Sequence, residues 1–258
     1  MINTILMGSF LYSGGLGRYG SYDSYGSGYL TYLIFLLPAM LLGFWAQMKV
    51  KGTFEKYSLI ENSRGMTGAQ AARMVLDQNG LSYVRIEHIS GELTDHYDPR
   101  GQVIRLSRSV YGSTSIGAVG VAAHEAGHAV QHAEGYAPIR IRNTIIPACN
   151  IGSRVGPLMI IIGCLMAGSM GRTLIFYGIL LFSLVALFQL VTLPVEFDAS
   201  NRALMAIKDS GIFDNEDYDG AKKVLSAAAM TYVAALVTTL SQMFYYATRY
   251  LGVGRRRD

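Results

Sequence analysis

His124-Glu125-Ala126-Gly127-His128 combines residue types and a spacing that call for one particular chemistry. On a helix, residues four apart differ by about 40° in direction and about 6 Å along the axis, so two imidazoles converge on one metal ion. Glu125 then projects beside that ion. This is the arrangement of a hydrolytic zinc site: Zn2+ polarises a scissile carbonyl and lowers the pKa of its water, and Glu125 takes the water proton and passes it to the leaving amine. The plain alternative is a surface helix that happens to stack two histidines.

Catalytic zinc needs a third protein ligand and one open position. His132 continues the stripe of His124 and His128, but it stands about 12 Å along the axis from His124, too far for both to bind one tetrahedral ion without strain. A structural or pocket-edge role suits it better. Glu196 is the favoured third ligand, for a topological reason given below. Beyond the metal, an oxyanion needs donors, and His96, Tyr97 and Arg202 have suitable chemistry. The segment 102–107, a short strand just ahead of the metal helix, is placed to pair with an extended peptide, which points to unfolded or loop segments near a membrane as substrates.

The elements that must position these residues are mostly apolar helices. Four stretches contain no Asp, Glu, Lys or Arg: 24–48, 155–171, 173–195 and 224–248. Each has about the length needed to cross 30 Å of hydrocarbon. The first reads as a retained anchor over 29–48, flanked by Tyr29, Tyr32, Phe44 and Trp45 at the interfaces. The second and third, separated by a tight turn at Gly171 and Arg172, form a transmembrane hairpin over 144–194. A hairpin returns the chain to the side it left, so the helix of His124 and the segment after Pro194 share one membrane face. Lys49, Lys51, Lys56, Arg140 and Arg142 make that face cytoplasmic. The fourth stretch, 224–248, is diluted by Ser226, Thr231, Thr238, Thr239, Ser241 and Gln242. If it crosses, Arg249 and Arg255 to Arg257 lie outside, against the positive-inside tendency; a re-entrant course avoids that conflict.

The remaining segments are a flexible Gly/Ser/Tyr-rich leader (1–28), a first polar part (49–143), a second polar part (195–223) and a basic tail (249–258). In the first polar part, Thr67 caps a helix that stops at Gly80. A strand follows over 83–89, then a turn at Asp98-Pro99-Arg100-Gly101 and the strand 102–107. Ser113 or Ser115 opens the Ala/Gly-rich metal helix, which runs to about Glu134 and ends at Gly135. Clustered apolar blocks exclude an ordinary soluble domain. The net charge of +4, spread without an aromatic-interleaved basic patch, excludes nucleic acid as a partner. Cys149 and Cys164 read as buried apolar residues rather than a disulfide or ligand pair. The tail arginines suit lipid headgroups or solvent.

Three runs carry a family resemblance: Gly91-Glu92-Leu93-Thr94-Asp95-His96-Tyr97-Asp98-Pro99, Ala122 to His132, and Leu193-Pro194-Val195-Glu196-Phe197-Asp198-Ala199-Ser200. They resemble the membrane-bound neutral zinc metallopeptidases of the YugP-like family, over about residue 54 to the end of the fourth stretch. The resemblance implies a mainly α membrane protein with a small α+β, zincin-like catalytic part. It implies a gluzincin-type site with Zn2+ on His124, His128 and Glu196 and Glu125 as general base, acting on peptide or protein substrates at the cell membrane. Relatives of this kind carry Asp four residues after the ligand glutamate, where this chain has Ser200; Asp198 and Asn201 are the substitutes to consider. Two other readings share the pattern. An intramembrane zinc protease conflicts with the short, Gly-rich run before His124 and the lack of an Asp-Gly motif in a later span. A zinc-binding membrane scaffold would not need Glu125.

Overall fold

In the computed structural model, residues 22–92, 94–166 and 168–250 are described. They form α1 (Tyr22–Ser58), α2 (Gly68–Gln78), β1 (Arg85–Ile89), β2 (His96–Asp98), β3 (Val103–Ser107), α3 (Arg108–Tyr111), α4 (Ile116–Ala133), α5 (Ala137–Leu165), α6 (Gly168–Asp209) and α7 (Asn215–Tyr250). The described residues divide into two compact units, one of 45–141 with 191–232, the other of 22–44, 142–190 and 233–250.

In the first unit the local signals act as expected. Thr67 and Gln70 make a reciprocal capping box that starts α2, and Gly80, at φ +70, follows its end. Ser115 caps α4 through a bond from the Ala118 N–H. The strands form a sheet in the order β1-β3-β2, with β1 parallel and β2 antiparallel to β3. Tyr83 and Val84, expected at the start of the first strand, lie in the turn before it, because the chain first closes Leu81 and Val84 over α2. The strand β2 was not expected at all. Asp98 builds the β2–β3 turn by accepting from the N–H groups of Arg100 and Gly101, and its other oxygen meets Arg105 Nη1 at 2.9 Å. That hydrogen bond from Arg105, with those from the turn, holds the Asp98 carboxyl below its usual pKa.

Helix α4 is the centre of this unit. Its residues Ala118, Ala122, Ala123, Ala126 and Ala129 are at most 1% exposed, and its glycines mark where neighbours come closest. A Cβ at Gly117 would stand 3.3 Å from the Tyr57 backbone, one at Gly120 3.4 Å from Ala221, and one at Gly127 2.5 Å from the carbonyl oxygen of Ala199 on α6. The last distance admits only glycine. Large apolar residues, among them Leu76, Ile104, Leu106 and Ile207, close the core around α4.

In the second unit, α5 and α6 form a helical hairpin, and its reversal comes earlier than Gly171 and Arg172. Helix α5 ends at Leu165 and α6 starts at Gly168, which takes φ +83. Gly171 lies inside α6 and serves close packing instead, since a Cβ there would stand 2.6 Å from the Gly163 carbonyl oxygen. Gly156 and Gly178 repeat the device further along, each Cβ position lying 2.9 Å from the other's carbonyl oxygen. Helices α5, α6 and α7 are long and apolar enough to cross a membrane, and Leu158, Ile162, Phe176, Leu180, Leu187 and Leu240 stay exposed along them. Helix α6 runs unbroken through Pro194 to Asp209, as a long packed helix tolerates one missing N–H. Cys149 is buried and donates to the Leu184 carbonyl at 3.2 Å, whereas Cys164 is exposed rather than buried. The expected anchor lies within α1, which already begins at Tyr22, inside the expected flexible leader; the rest of that leader and the Arg255 to Arg257 cluster lie outside the described residues.

Gly127→Ala is expected to destabilise the protein by about 1–3 kcal/mol, because the methyl group meets backbone rather than a movable side chain. Denaturant or thermal unfolding in detergent measures it, and Gly112→Ala, where a Cβ meets nothing within 4 Å, provides the comparison.

Candidate metal centre

One turn of α4 carries His124 and His128 on the same side, with ring centroids 4.7 Å apart in an edge-on arrangement. Because Gly127 lets α6 come close, the Glu196 carboxylate reaches both rings. Its Oε2 lies 3.3 Å from His124 Nε2 and 3.6 Å from His128 Nε2. Among the described residues, these three form the group whose ligand atoms all lie within 4.8 Å of one another and could hold a metal ion. Glu196 is only 4% exposed. A carboxylate so buried needs positive charge beside it, supplied by imidazolium or by a cation shared with the rings. Two imidazoles and one carboxylate are a donor set that suits zinc.

The outer ring nitrogens are also engaged. His124 Nδ1 lies 3.1 Å from Ser200 Oγ, and His128 Nδ1 lies 3.0 Å from Gln131 Oε1. With Nδ1 occupied on each ring, both Nε2 atoms face Glu196, as a metal site requires. Ser200 therefore takes the place for which Asp198 and Asn201 were considered. Asp198 acts at the other histidine, bonded to Gln131 Nε2 at 2.8 Å and to Arg202 Nε at 2.6 Å. Asn201 is exposed.

Glu125 lies on the same turn, and its Oε2 accepts the Tyr97 backbone N–H at 3.0 Å. The bond explains why β2 exists where it does. Asp95 accepts from the N–H of Ser107 at 2.7 Å, and Asp98 folds the turn, so these two aspartates shape the hairpin that delivers Tyr97 to Glu125. The Tyr97 ring sits edge-on to His132 with centroids 6.0 Å apart, and burial, with nearby Tyr83 and Asp98, raises its phenol pKa. His132 itself is exposed near the end of α4. His96 is exposed, with Nδ1 2.8 Å from the Thr94 carbonyl oxygen. Arg202 pairs with Asp198 and, through Nη1 at 2.7 Å, with Glu134.

One expectation fails. The strand 102–107 cannot pair with a peptide, since β3 is the central strand with β1 and β2 bonded to its two sides. Sequence reasoning also missed Gln131, which is fully buried. Its only signal in the chain is its position three residues after His128, on the same helical face.

The family described as "Putative neutral zinc metallopeptidase" matches residues 32–250. The chain is similar to "Putative membrane protease YugP" of Bacillus subtilis (strain 168), with 48% identity over 222 residues, which cover 86% of this chain and 97% of that relative. No solved structure matches.

Glu196→Ala is expected to lose most bound zinc, while His132→Ala keeps near-stoichiometric metal, because only the former removes a donor from the converging set. Metal analysis of the purified variants decides. Zinc retained without Glu196 and lost without His132 would reverse the assignment.

Proposed function

The chain belongs to the family described as "Putative neutral zinc metallopeptidase", and on that premise we propose that it is an integral-membrane zinc endopeptidase of the gluzincin type. It sits in the cell membrane as a multi-pass protein, with a zincin-like catalytic part on the cytoplasmic face, and cleaves membrane-proximal protein segments. The observation that carries the reading is the convergence of His124 Nε2, His128 Nε2 and Glu196 Oε2 beside Glu125. The three long apolar helices support the membrane placement.

His124, His128 and Glu196 would hold zinc, which supplies Lewis-acid polarisation of the scissile carbonyl and acidifies water. The protein's own residues do the rest. The Tyr97 N–H fixes the Glu125 carboxylate against α4, and from there Glu125 accepts a proton from the attacking water and returns it to the leaving amine. Of the three oxyanion candidates, Tyr97 fits best. Its phenol stays protonated because burial raises its pKa, so it remains a donor. His96 has its Nδ1–H committed to the Thr94 carbonyl and its side chain is exposed. Arg202 is occupied by two carboxylates. An extended substrate would lie along the outer edge of β2, where the Tyr97 N–H already points away from β3 toward Glu125.

Glu125→Gln is expected to keep its zinc and to lower turnover by at least about 10²-fold, since only the proton acceptor is lost. Casein or peptide cleavage in detergent, with and without chelator, measures this. Unchanged cleavage would defeat the mechanism, and zinc binding without any chelator-sensitive cleavage in the unmodified protein would favour the scaffold reading. For the topology, a protease added at the cytoplasmic face is expected to cut within both 49–142 and 203–223. Cleavage of one and protection of the other would break the shared-face argument.

A further inference from the structure

Gln131 is a polar side chain with no exposed surface, an expensive thing to bury unless each of its groups is satisfied. Every group is. Its Nε2 donates to the Val195 carbonyl at 2.7 Å and to Asp198 Oδ2 at 2.8 Å. Neither partner can donate, so the amide has one possible orientation, with Oε1 toward His128 Nδ1 at 3.0 Å. An amide oxygen only accepts, so His128 Nδ1 must carry the hydrogen of that bond, and Nε2 is the nitrogen that faces Glu196. The orientation is held from further out. Asp198 Oδ2 also accepts Arg202 Nε at 2.6 Å, and Arg202 Nη1 reaches Glu134 at the C-cap of α4. The chain of contacts thus leaves α4 at Glu134, runs along α6 through Arg202 and Asp198, and returns to α4 at Gln131 and His128.

We infer that Gln131 is the positioning residue of the metal centre: it keys α4 to α6 on either side of Glu196 and fixes which nitrogen of His128 is offered to the metal. The inference rests on the zinc-site reading above. Val195 and Asp198 flank Glu196 in sequence, so the same amide that orients one ligand histidine also gauges the position of the carboxylate ligand. Ser200 stands behind His124, with its Oγ 3.1 Å from Nδ1.

The test compares the unmodified full chain in detergent with Gln131→Met, which keeps the side-chain length and removes the amide. Zinc affinity is measured by competition with a chelating dye, and the expected weakening is about 10- to 100-fold. A smaller weakening overturns the inference. A second readout follows the imidazole protons of zinc-loaded protein labelled with 15N-histidine. The His128 Nδ1–H is expected to be downfield and slow to exchange in the unmodified protein, and to move upfield and exchange quickly in Gln131→Met, with His124 unaffected. If Gln131→Met does not fold, the unmodified protein still decides: a fast-exchanging His128 Nδ1–H, or zinc on Nδ1, overturns the inference. His124→Ala separates the two levels, for zinc retained in that variant defeats the metal-centre reading itself, whereas zinc lost there and bound normally by Gln131→Met defeats only the role of Gln131.

Discussion

The backbone approach of α4 to α6 at Gly127 and Ala199 is the constraint on which the rest of the first unit depends. Two helices with ordinary side chains at their crossing lie about 8–10 Å apart. The missing Cβ at Gly127, whose place would be 2.5 Å from a carbonyl oxygen, brings them closer at the turn that separates His124 from His128. At that spacing a glutamate side chain on α6 reaches both imidazoles. The remaining glycines and alanines of α4 extend the same logic around its circumference, so that one helix is gripped on several sides and the turn between His124 and His128 is held by packing.

Given that approach, the polar groups at the crossing must be satisfied in detail. A buried glutamate, two half-buried histidines and a buried glutamine are largely withdrawn from bulk solvent, and each finds protein partners. The result is a layered arrangement: donors that face one point, then Ser200 and Gln131 behind the rings, then Asp198, Arg202 and Glu134 toward the surface. Outer charges are paired where they are partly exposed and contribute little stability by themselves. Their value lies in fixing the direction of the inner groups.

The hairpin of β2 and β3 supplies the other half of the site. Its turn and its closing bonds are made by aspartates, Asp98 and Asp95, whose partners are backbone N–H groups, a serine and Arg105. A strand of only three residues would be marginal alone. Here it is pinned at both ends and by its contact with Glu125, so the edge of the sheet and the Glu125 carboxylate are set by one hydrogen bond.

The sequence by itself determined the local features. The spacing of His124, Glu125 and His128 is a property of helical geometry, and the caps at Thr67 and at Ser113 or Ser115 and the stops at Gly80 and Gly135 are written in single residues whose effect needs no distant partner. The apolar blocks were equally legible, because length and the absence of charge define them. Glu196 was reachable by adding topology to those blocks. What only the tertiary structure decided is which groups meet across elements. Nothing local shows that Ser200 would stand behind His124, that Gln131 would turn its oxygen to His128, or that His96 to Asp98 would form a third strand and leave 102–107 in the middle of the sheet. Gly171 misled for the same reason: as an isolated residue it signals a turn, but close packing against α5 keeps it inside α6. Side-chain periodicity records which face of an element is apolar, whereas hydrogen-bond partners and strand order depend on contacts between residues as far apart in the chain as His124 and Ser200.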